Sequence, residues 1–243
     1  MGYNVKKEFE VMTMYQYETH LHTLPVSKCA KATVRENIEA YKALGYAGVF
    51  ITNHFLDGNI DVDPSLPYED RIHFYFSDYE EGKRIGQELG IDVFCGVELS
   101  YKGTDFLIYG LDKDWFLAHP EIEGMKKSQE LQLMRDSGAL VIQAHPYREA
   151  SYIDHIRLFP RQVDGVEVNN ACCNELANKM AVYYADNYGL LHFAGTDNHR
   201  AGSKKILAGM ESPCPIRNER DFVTKVLDGT MHPFQRNTEE EQQ

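Results

Sequence analysis

Residues 17–23 have the sequence YETHLHT, which places two histidines one residue apart, His20 and His22. Side chains of an extended strand alternate between its two faces, so both imidazoles lie on the same face. Two imidazoles on one face suit the chelation of a metal ion and do not help an apolar core. The same spacing recurs in the sequence GTDNH, at Asp197 and His199. The two pairs together indicate a metal site.

Other ligand-type side chains stand at the ends of β-rich apolar runs. The full set is His20, His22, His54, Glu98, Asp105, His145, Glu167, Asp197 and His199. The histidines outside this pattern are expected to be structural, and they are His73, His119, His155, His192 and His232. In a parallel barrel the C-terminal ends of the strands share one rim, where the loops build an active site. The set therefore predicts a metal site at that rim.

Seven short apolar runs are predicted to be strands, namely residues 11–20, 46–54, 91–100, 105–111, 139–146, 164–170 and 190–199. Segments of helical character separate most of them, at residues 33–45, 76–90, 123–138 and 173–189, and each ends in the glycine that helix C-termini prefer. Alternating strands and helices predict a parallel α/β sheet. A barrel is favoured over an open doubly wound sheet because no glycine-rich phosphate loop follows the first strand.

The chain has 243 residues, and a single α/β barrel commonly reaches this size. We therefore expect one domain over residues 1–236, followed by an acidic, disordered tail at 237–243. The absence of a signal region, of an apolar run near ~20 residues and of paired cysteine spacings predicts a cytoplasmic protein with reduced thiols and no membrane segment. The net charge of −12 argues against an extended nucleic-acid surface. It does not exclude phosphate chemistry, because carboxylates that hold cations also count as negative.

The motifs ETHLHT, ITNH, GVE, QAHP, EVNN and GTDNH occur in that order across residues 17–200. This ordered set resembles the polymerase and histidinol phosphatase (PHP) domain. The resemblance implies a distorted seven-stranded (β/α) barrel of the TIM-like type, with two or three metal ions at the C-terminal rim. It also implies hydrolysis of phosphate esters, which is the activity of free-standing members of that family.

The resemblance also implies the ligands of each metal ion. The first ion is expected to bind His20, His22, Asp197 and a bridging Glu98. The second is expected to bind Glu98, His145 and Asp105, and the aspartate stands where the family commonly has a histidine. The third is expected to bind His54 and His199.

The third ion lacks its usual remaining ligand, because the loop after the first motif offers Ser27, Lys28 and Cys29 instead. Occupancy of this third site is left open. Cys29 could be a soft ligand, but a small buried packing residue is the favoured interpretation. Lys28 could reach a phosphate, although a lone lysine is more often a solvated surface residue.

Two neighbouring dications can share a bridging water and present it as hydroxide to a phosphorus atom, and Glu98 is the residue expected to hold that pair. Arg148 and Arg200 directly follow ligand motifs, so their guanidinium groups are candidates for binding the substrate phosphate, with ordinary surface roles as the alternative. Glu167 and Asn169, two residues apart on one strand, are predicted to hold the ligand imidazoles in place. A simple hydrogen-bonded pair at a strand end is the alternative for them.

The sequence predicts a metal-dependent hydrolase of a small phosphomonoester, with two or three divalent zinc, iron or manganese ions as cofactors. The alternatives are a PHP-type nuclease acting on nucleic-acid ends and a non-catalytic metal-binding regulatory module. The sequence leaves open the identity of the phosphoester substrate, the identity of the metal and the oligomeric state.

Overall fold

The computed structural model describes residues 13–202 and 205–238. The strands within them are β1 (Tyr15–Leu21), β2 (Gly48–Ile51), β3 (Asp92–Tyr101), β4 (Thr104–Tyr109), β5 (Leu140–Ala144), β6 (Gly165–Asn170), β7 (Leu191–Gly195), β8 (Ile206–Ser212) and β9 (His232–Asn237). The α-helices are α1 (Val34–Ala43), α2 (Tyr68–Leu89), α3 (Lys113–Ala118), α4 (Lys127–Asp136), α5 (Glu175–Tyr188) and α6 (Glu219–Leu227). A short 3-10 helix covers Pro120–Gly124.

The described strands form one sheet in the order β7-β6-β5-β4-β3-β2-β1-β8-β9. The sheet curls into a nearly closed barrel, because β7 at one edge lies against β1, β8 and β9. Two contacts join the edge to β1: the Thr19 hydroxyl donates to the Ala194 carbonyl, and the Thr196 N–H donates to the Glu18 carboxylate at 3.0 Å. Just beyond β7, the His22 backbone N–H donates to the Asn198 carbonyl at 3.0 Å and the Asn198 N–H donates to the His20 carbonyl at 3.3 Å. Side chains and this short parallel bridge together close the seam between β1 and β7.

Strand direction differs from the prediction of a wholly parallel sheet. Strand β4 runs antiparallel to both β3 and β5, whereas β1, β2 and β3 are parallel to one another, as are β5, β6 and β7. Only two residues, Lys102 and Gly103, connect β3 to β4, and a parallel crossover needs a dozen or more. Asp105 near the start of β4 therefore pairs with Ser100 near the end of β3. The reversal places Asp105 at the same rim as the C-terminal ends of the parallel strands.

All seven predicted strands are present, but the described sheet has nine, because β8 and β9 extend it beyond β1. The glycine ends predicted for α2 and α5 are confirmed, since Gly90 and Gly189 cap these helices with φ of 70° and 64°. Helices α3 and α6 were not predicted. The predicted residues 11–12 of the first strand and 239–243 of the tail lie outside the described residues, and β9 extends through Asn237. Across the part of the chain that the structure covers, no helix has the length and apolar character to cross a bilayer.

The barrel interior is filled by aromatic side chains. Phe222 of α6 enters it and packs against Phe50, Tyr109 and Phe193, with ring centroids 4.4, 5.2 and 6.1 Å away. The Tyr109 hydroxyl donates to the Thr19 carbonyl at 2.6 Å, which ties this apolar layer to the end of β1. The layer gives the polar rim a rigid support.

The close approach of β8 to β1 allows no side chain at Gly209. A Cβ atom there would lie 2.1 Å from the Tyr17 carbonyl oxygen. Gly209→Ala should therefore separate the two strands and lower the free energy of unfolding by about 1–3 kcal/mol, as overpacking does. Gly124→Ala is the matched control, because its Cβ would meet nothing within 4 Å. Equal urea midpoints for the two variants would contradict this account of the contact between β8 and β1.

Candidate metal centre

Strands β1 and β7 bring the first ligand pairs together at the rim. His20 is fully buried near the end of β1, and Asp197 follows β7 with 1% of its surface exposed. Gly195 makes the approach possible, because a Cβ at this position would lie 2.5 Å from the His20 Cβ. The His20 Nε2 and Asp197 Oδ1 atoms are 3.6 Å apart as a result.

Glu98, which is 1% exposed, lies at the centre of the site. Its Oε1 lies 3.1 Å from His20 Nε2 and 3.5 Å from His145 Nε2, and its Oε2 lies 3.3 Å from His22 Nε2 and 2.7 Å from His54 Nδ1. Burial alone would raise the pKa of this carboxyl, but the surrounding imidazoles hold it well below the usual range. A carboxylate with imidazole nitrogens around both of its oxygens has the geometry of a ligand that bridges two metal ions.

The predicted ligands assemble into four overlapping groups, in each of which the ligand atoms lie within 4.8 Å of one another. The groups are His20, His22 and Glu98; His20, His145 and Asp197; Glu98, Asp105 and His145; and His22, Cys29, His54 and His199. All eight residues predicted to bind metal are in at least one group. The fourth group contains a cysteine that was assigned to packing.

Three buried ligand atoms in this centre have no hydrogen-bond partner within the described part of the chain: His54 Nδ1, Glu98 Oε2 and His145 Nε2. The first two are only 2.7 Å apart, yet they do not form an aligned hydrogen bond. A buried polar atom without a partner costs about 1–3 kcal/mol. Divalent cations among these atoms would satisfy all three, so the donor set fits the metal ions that the sequence implies.

Glu167 fixes the orientation of two ligands. Its Oε1 accepts from the ring nitrogen Nδ1 of His20 at 2.9 Å, and its Oε2 accepts from the backbone N–H of His145 at 3.0 Å. The amide that supports Glu167 belongs to Asn170, whose Nδ2 lies 2.9 Å from Oε2. Asn169 had been predicted to hold the ligand imidazoles together with Glu167. The pairing of β6 with β7 changes register between Glu167 and Asn169, which breaks the strict alternation on which that prediction relied.

Ser27 sets the tautomer of His22. The Ser27 hydroxyl donates to Asn53 Oδ1 at 2.8 Å, so its oxygen can only accept from His22 Nδ1 at 3.1 Å. The proton of the neutral ring therefore lies on Nδ1, and the Nε2 lone pair faces Glu98 and Asp197. Burial and then the neighbouring His54 lower the pKa of His22 to about 3, which keeps the ring neutral.

Two non-glycine residues of the centre have left-handed backbone. His145 has φ of 25° and Asp197 has φ of 53°. Such conformations cost on the order of 1–3 kcal/mol and persist only where surrounding contacts hold them. His145 directly follows β5, and Asp197 lies two residues after β7. The unusual φ turns both side chains back over the rim.

Asp105 lies at the edge of the centre beside a partner that the sequence did not reveal. Its Oδ1 accepts from the Ser100 hydroxyl at 2.7 Å, and its Oδ2 lies 3.9 Å from His145 Nε2. Burial and then the nearby Glu98 raise the pKa of Asp105. A cation between these two carboxylates would remove that repulsion.

The three candidate phosphate-binding residues lie in different environments. Arg148 is partly buried and its guanidinium contacts the Asp197 carboxylate. Arg200 is exposed beside the centre, and its backbone N–H donates to Asn198 Oδ1. Lys28 is 52% exposed and pairs with Asp61 at 3.5 Å. The Arg148 side chain thus touches a candidate ligand directly.

Sequence reasoning missed Glu18, which is fully buried at the seam. Its Oε1 accepts from the N–H groups of Thr19, His20 and Thr196 at 2.8–3.0 Å. The signal was present in the motif itself, because a glutamate between Tyr17 and Thr19 in a buried strand needs partners. Glu18 holds the backbone on which His20 stands.

No protein-family model matches the chain. A segment of 91 residues is 32% identical to an uncharacterized protein of Methanocaldococcus jannaschii, and this match covers 37% of the chain and 50% of the relative. The match thus spans half the length of that curated relative.

Solved structures resemble this one over nearly its whole length. A two-domain protein of Bacteroides vulgatus that contains a predicted PHP-like metal-dependent phosphoesterase matches with a TM-score of 0.63 and 13% identity, over 91% of this chain and 65% of that one. PfuEndoQ, a lesion-specific endonuclease of Pyrococcus furiosus, matches with a TM-score of 0.53 and 11% identity, over 91% and 58%. The chain spans less than two thirds of either protein. It has the fold of PHP-like metal-dependent phosphoesterases, and the resemblance predicted from the motifs is confirmed at the level of the fold.

The neighbouring asparagines of β6 give a direct test of how the ligands are held. Asn170→Ala should weaken metal binding about 10-fold or more, because removing a group that orients a ligand typically costs that much. Asn169→Ala, which changes the adjacent half-buried residue, should leave the metal dissociation constant unchanged. Competition with a chelator measures both constants. A larger loss in Asn169→Ala than in Asn170→Ala would contradict the arrangement described for Glu167.

Proposed function

We propose that this chain is a PHP-type metal-dependent phosphoesterase that hydrolyses a small phosphomonoester. The observation that supports the proposal best is the buried Glu98 carboxylate, which has imidazoles from His20, His22, His54 and His145 around its two oxygens. Two of these imidazoles and the carboxylate itself carry buried atoms that have no hydrogen-bond partner among residues 13–202 and 205–238. A purely structural cluster would leave these atoms at a net cost.

Three cation positions follow from the groups of donors. His20, His22 and Asp197 would hold the first, His145 and Asp105 the second, and Glu98 would bridge the two. His54 and His199 would belong to the third. Divalent cations held there would activate water for attack on phosphorus and neutralise the phosphoryl oxygens.

The protein groups around these positions would bind and orient the phosphate. Arg148 contacts Asp197, and a bound cation would compete for that carboxylate oxygen. The planar guanidinium would then be free to bind two phosphate oxygens at once. Arg200 at the rim and Lys28 on the first loop are further candidates for the same role. Glu167 would keep the imidazole of His20 in one orientation throughout.

A cavity of about 600 Å³ adjoins the centre and would take the leaving group. Ser100 lines it and also donates to Asp105, so the cavity and the second cation position share a wall. Phe55, Tyr101 and Phe159 give it apolar surfaces, and its charged lining is mixed, with Lys126 and Lys127 beside Asp57, Glu123 and Glu130. These dimensions suit a small organic group, because ligand pockets of a few hundred Å³ bury molecules of that size.

A nuclease is the second candidate, and the structural likeness to an endonuclease favours it. The net charge of −12 favours the small substrate, because binding a long polyanion needs a basic surface. Manganese-loaded protein should turn over an aryl phosphate and small phosphomonoesters, and it should leave single-stranded oligonucleotides intact. Cleavage of oligonucleotides without phosphomonoesterase activity would establish the nuclease. Absence of both activities in metal-loaded protein would favour a non-catalytic module.

Glu98→Gln tests the bridging role. The neutral amide is a poor bridge between two cations, so we expect metal content to fall and phosphomonoester hydrolysis to be lost. Elemental analysis, steady-state kinetics and circular dichroism on the same sample measure metal, activity and folding. Glu219→Gln is the control, because this glutamate binds Tyr79 and the Cys95 N–H away from the centre. A folded Glu98→Gln variant with wild-type turnover would remove the bridge from the proposal.

Asp105 distinguishes a ligand from a residue that merely stabilises the start of β4. Asp105→Ala should remove one metal and most of the activity, since two remaining protein ligands seldom hold a catalytic dication. Asp105→His should restore metal stoichiometry and part of the activity, because an imidazole supplies a new donor. Asp92→Ala, at the start of the neighbouring β3, is the control. Unchanged metals per chain in Asp105→Ala, with only ~1 kcal/mol lost in stability, would assign Asp105 a structural role.

A further inference from the structure

One of the four ligand groups contains sulfur. Cys29 lies in the loop between β1 and α1, and its Sγ is 3.1 Å from His199 Nε2. The ligand atoms of His22 and His54 lie in the same group, all within 4.8 Å of one another. The sequence had favoured a packing role for this cysteine. Its surroundings are instead three imidazoles.

The hydrogen bonds of His199 show which of its nitrogens faces the thiol. Its Nδ1 lies 2.9 Å from the Asp197 backbone carbonyl, which can only accept, so Nδ1 carries the proton of the neutral ring. The lone pair on Nε2 therefore points at Cys29. An imidazole lone pair and a sulfur atom at this separation either share the thiol proton or bind a common cation.

The neighbouring rings favour a common cation. The His22 ring lies 4.3 Å from that of His199 and 4.4 Å from that of His54, measured between ring centroids. His54 Nδ1 is buried and has no hydrogen-bond partner among the described residues. A shared thiol proton would satisfy His199 and leave the buried Nδ1 of His54 without a partner among the described residues. A cation would satisfy both.

We propose that Cys29 is a thiolate ligand of the third cation, together with His54 and His199. The inference rests on the proposed metal centre and adds to it a site of different chemistry. His22 Nε2 also faces Glu98 and Asp197, at 3.3 and 3.4 Å, and so belongs to the adjoining cation. Three protein ligands would leave a fourth position open for water or substrate. Binding releases the thiol proton to solvent.

The donor sets then differ across the centre. Cys29, His54 and His199 offer one sulfur and two nitrogens, whereas Glu98, Asp105 and His145 offer two carboxylates and one nitrogen. Thiolate and imidazole favour zinc, and carboxylates suit manganese. The protein should therefore retain zinc at the sulfur site when manganese fills the carboxylate site. One chain would hold two kinds of metal ion.

Cobalt(II) reports a sulfur ligand directly, because a bound thiolate adds an intense near-ultraviolet charge-transfer absorption. Wild-type protein reconstituted with cobalt should show this absorption, and Cys29→Ser should lose it together with about one metal per chain. Cys29→His should regain the metal without the absorption. Two controls should keep both: Cys214→Ser, which is exposed and remote, and Cys172→Ser, whose thiol lies near the centre and contacts the Asp197 carbonyl.

A second measurement needs no variant. Iodoacetamide should label Cys29 more slowly in cobalt-loaded protein than after chelation, whereas Cys214 should react at the same rate in both, as read by mass spectrometry. Charge-transfer absorption that persists in Cys29→Ser, or equal labelling of Cys29 in both states, would overturn the sulfur ligand. Cobalt binding without that absorption would overturn the sulfur ligand alone, and no cobalt binding at all would overturn the metal centre with it.

Discussion

A single buried carboxylate constrains the whole rim. Nitrogens of four imidazoles, carried by three separate segments, lie 2.7–3.5 Å from the oxygens of Glu98, whose exposure is 1%. Lone pairs that converge in this way repel one another unless protons or cations lie between them. The hydrogen bonds made by Ser27 and Glu167 fix the protons of His22 and His20 on the outer nitrogens. That leaves the inner space to cations, and the surrounding fold has to keep its donors in place against their mutual repulsion.

The barrel meets this requirement by closing the seam between β1 and β7, where side-chain contacts supplement a short backbone bridge. Glu18 accepts three backbone N–H groups there, and one of them comes from the far side of the seam. Gly195 allows β7 to approach β1 more closely than any other residue would, and Gly209 does the same for β8 on the other side of β1. The aromatic layer below, with Phe222 inserted from α6, prevents the rim from collapsing inward. Each of these features acts on the ligands indirectly, through the backbone that carries them.

The candidate ligands were predictable because their signal is local. A spacing of two residues on a strand and a position at the end of an apolar run can be seen in a few letters, and every ligand predicted in this way falls within the centre. The direction of β4 was harder, since the alternation of side chains is the same in parallel and antiparallel strands. Its signal was the two-residue connection at Lys102 and Gly103, which is too short for a crossover.

The remaining misses concern interactions between distant segments. Asn170, and not Asn169, contacts Glu167, because the register between β6 and β7 is irregular and changes which residue faces the centre. The sequence of β6 alone does not indicate this irregularity, since it depends on the partner strand. Cys29 was assigned to packing because an isolated cysteine in a loop usually packs. Only the fold brings it next to His199, 170 residues further along the chain.

The seam also determines when the centre can exist. The bond from Thr196 to Glu18 spans 178 residues, and the one from Gln16 to Glu211 in β8 spans 195. Contacts between segments so far apart in sequence form late and slowly during folding. A growing polypeptide that has emerged as far as α5 already contains His20, His22, His54, Glu98 and His145. It still lacks β7, which closes the seam and leads to Asp197 and His199. Full metal affinity would therefore require the completed barrel, and bound ions would stabilise that barrel in preference to any shorter intermediate.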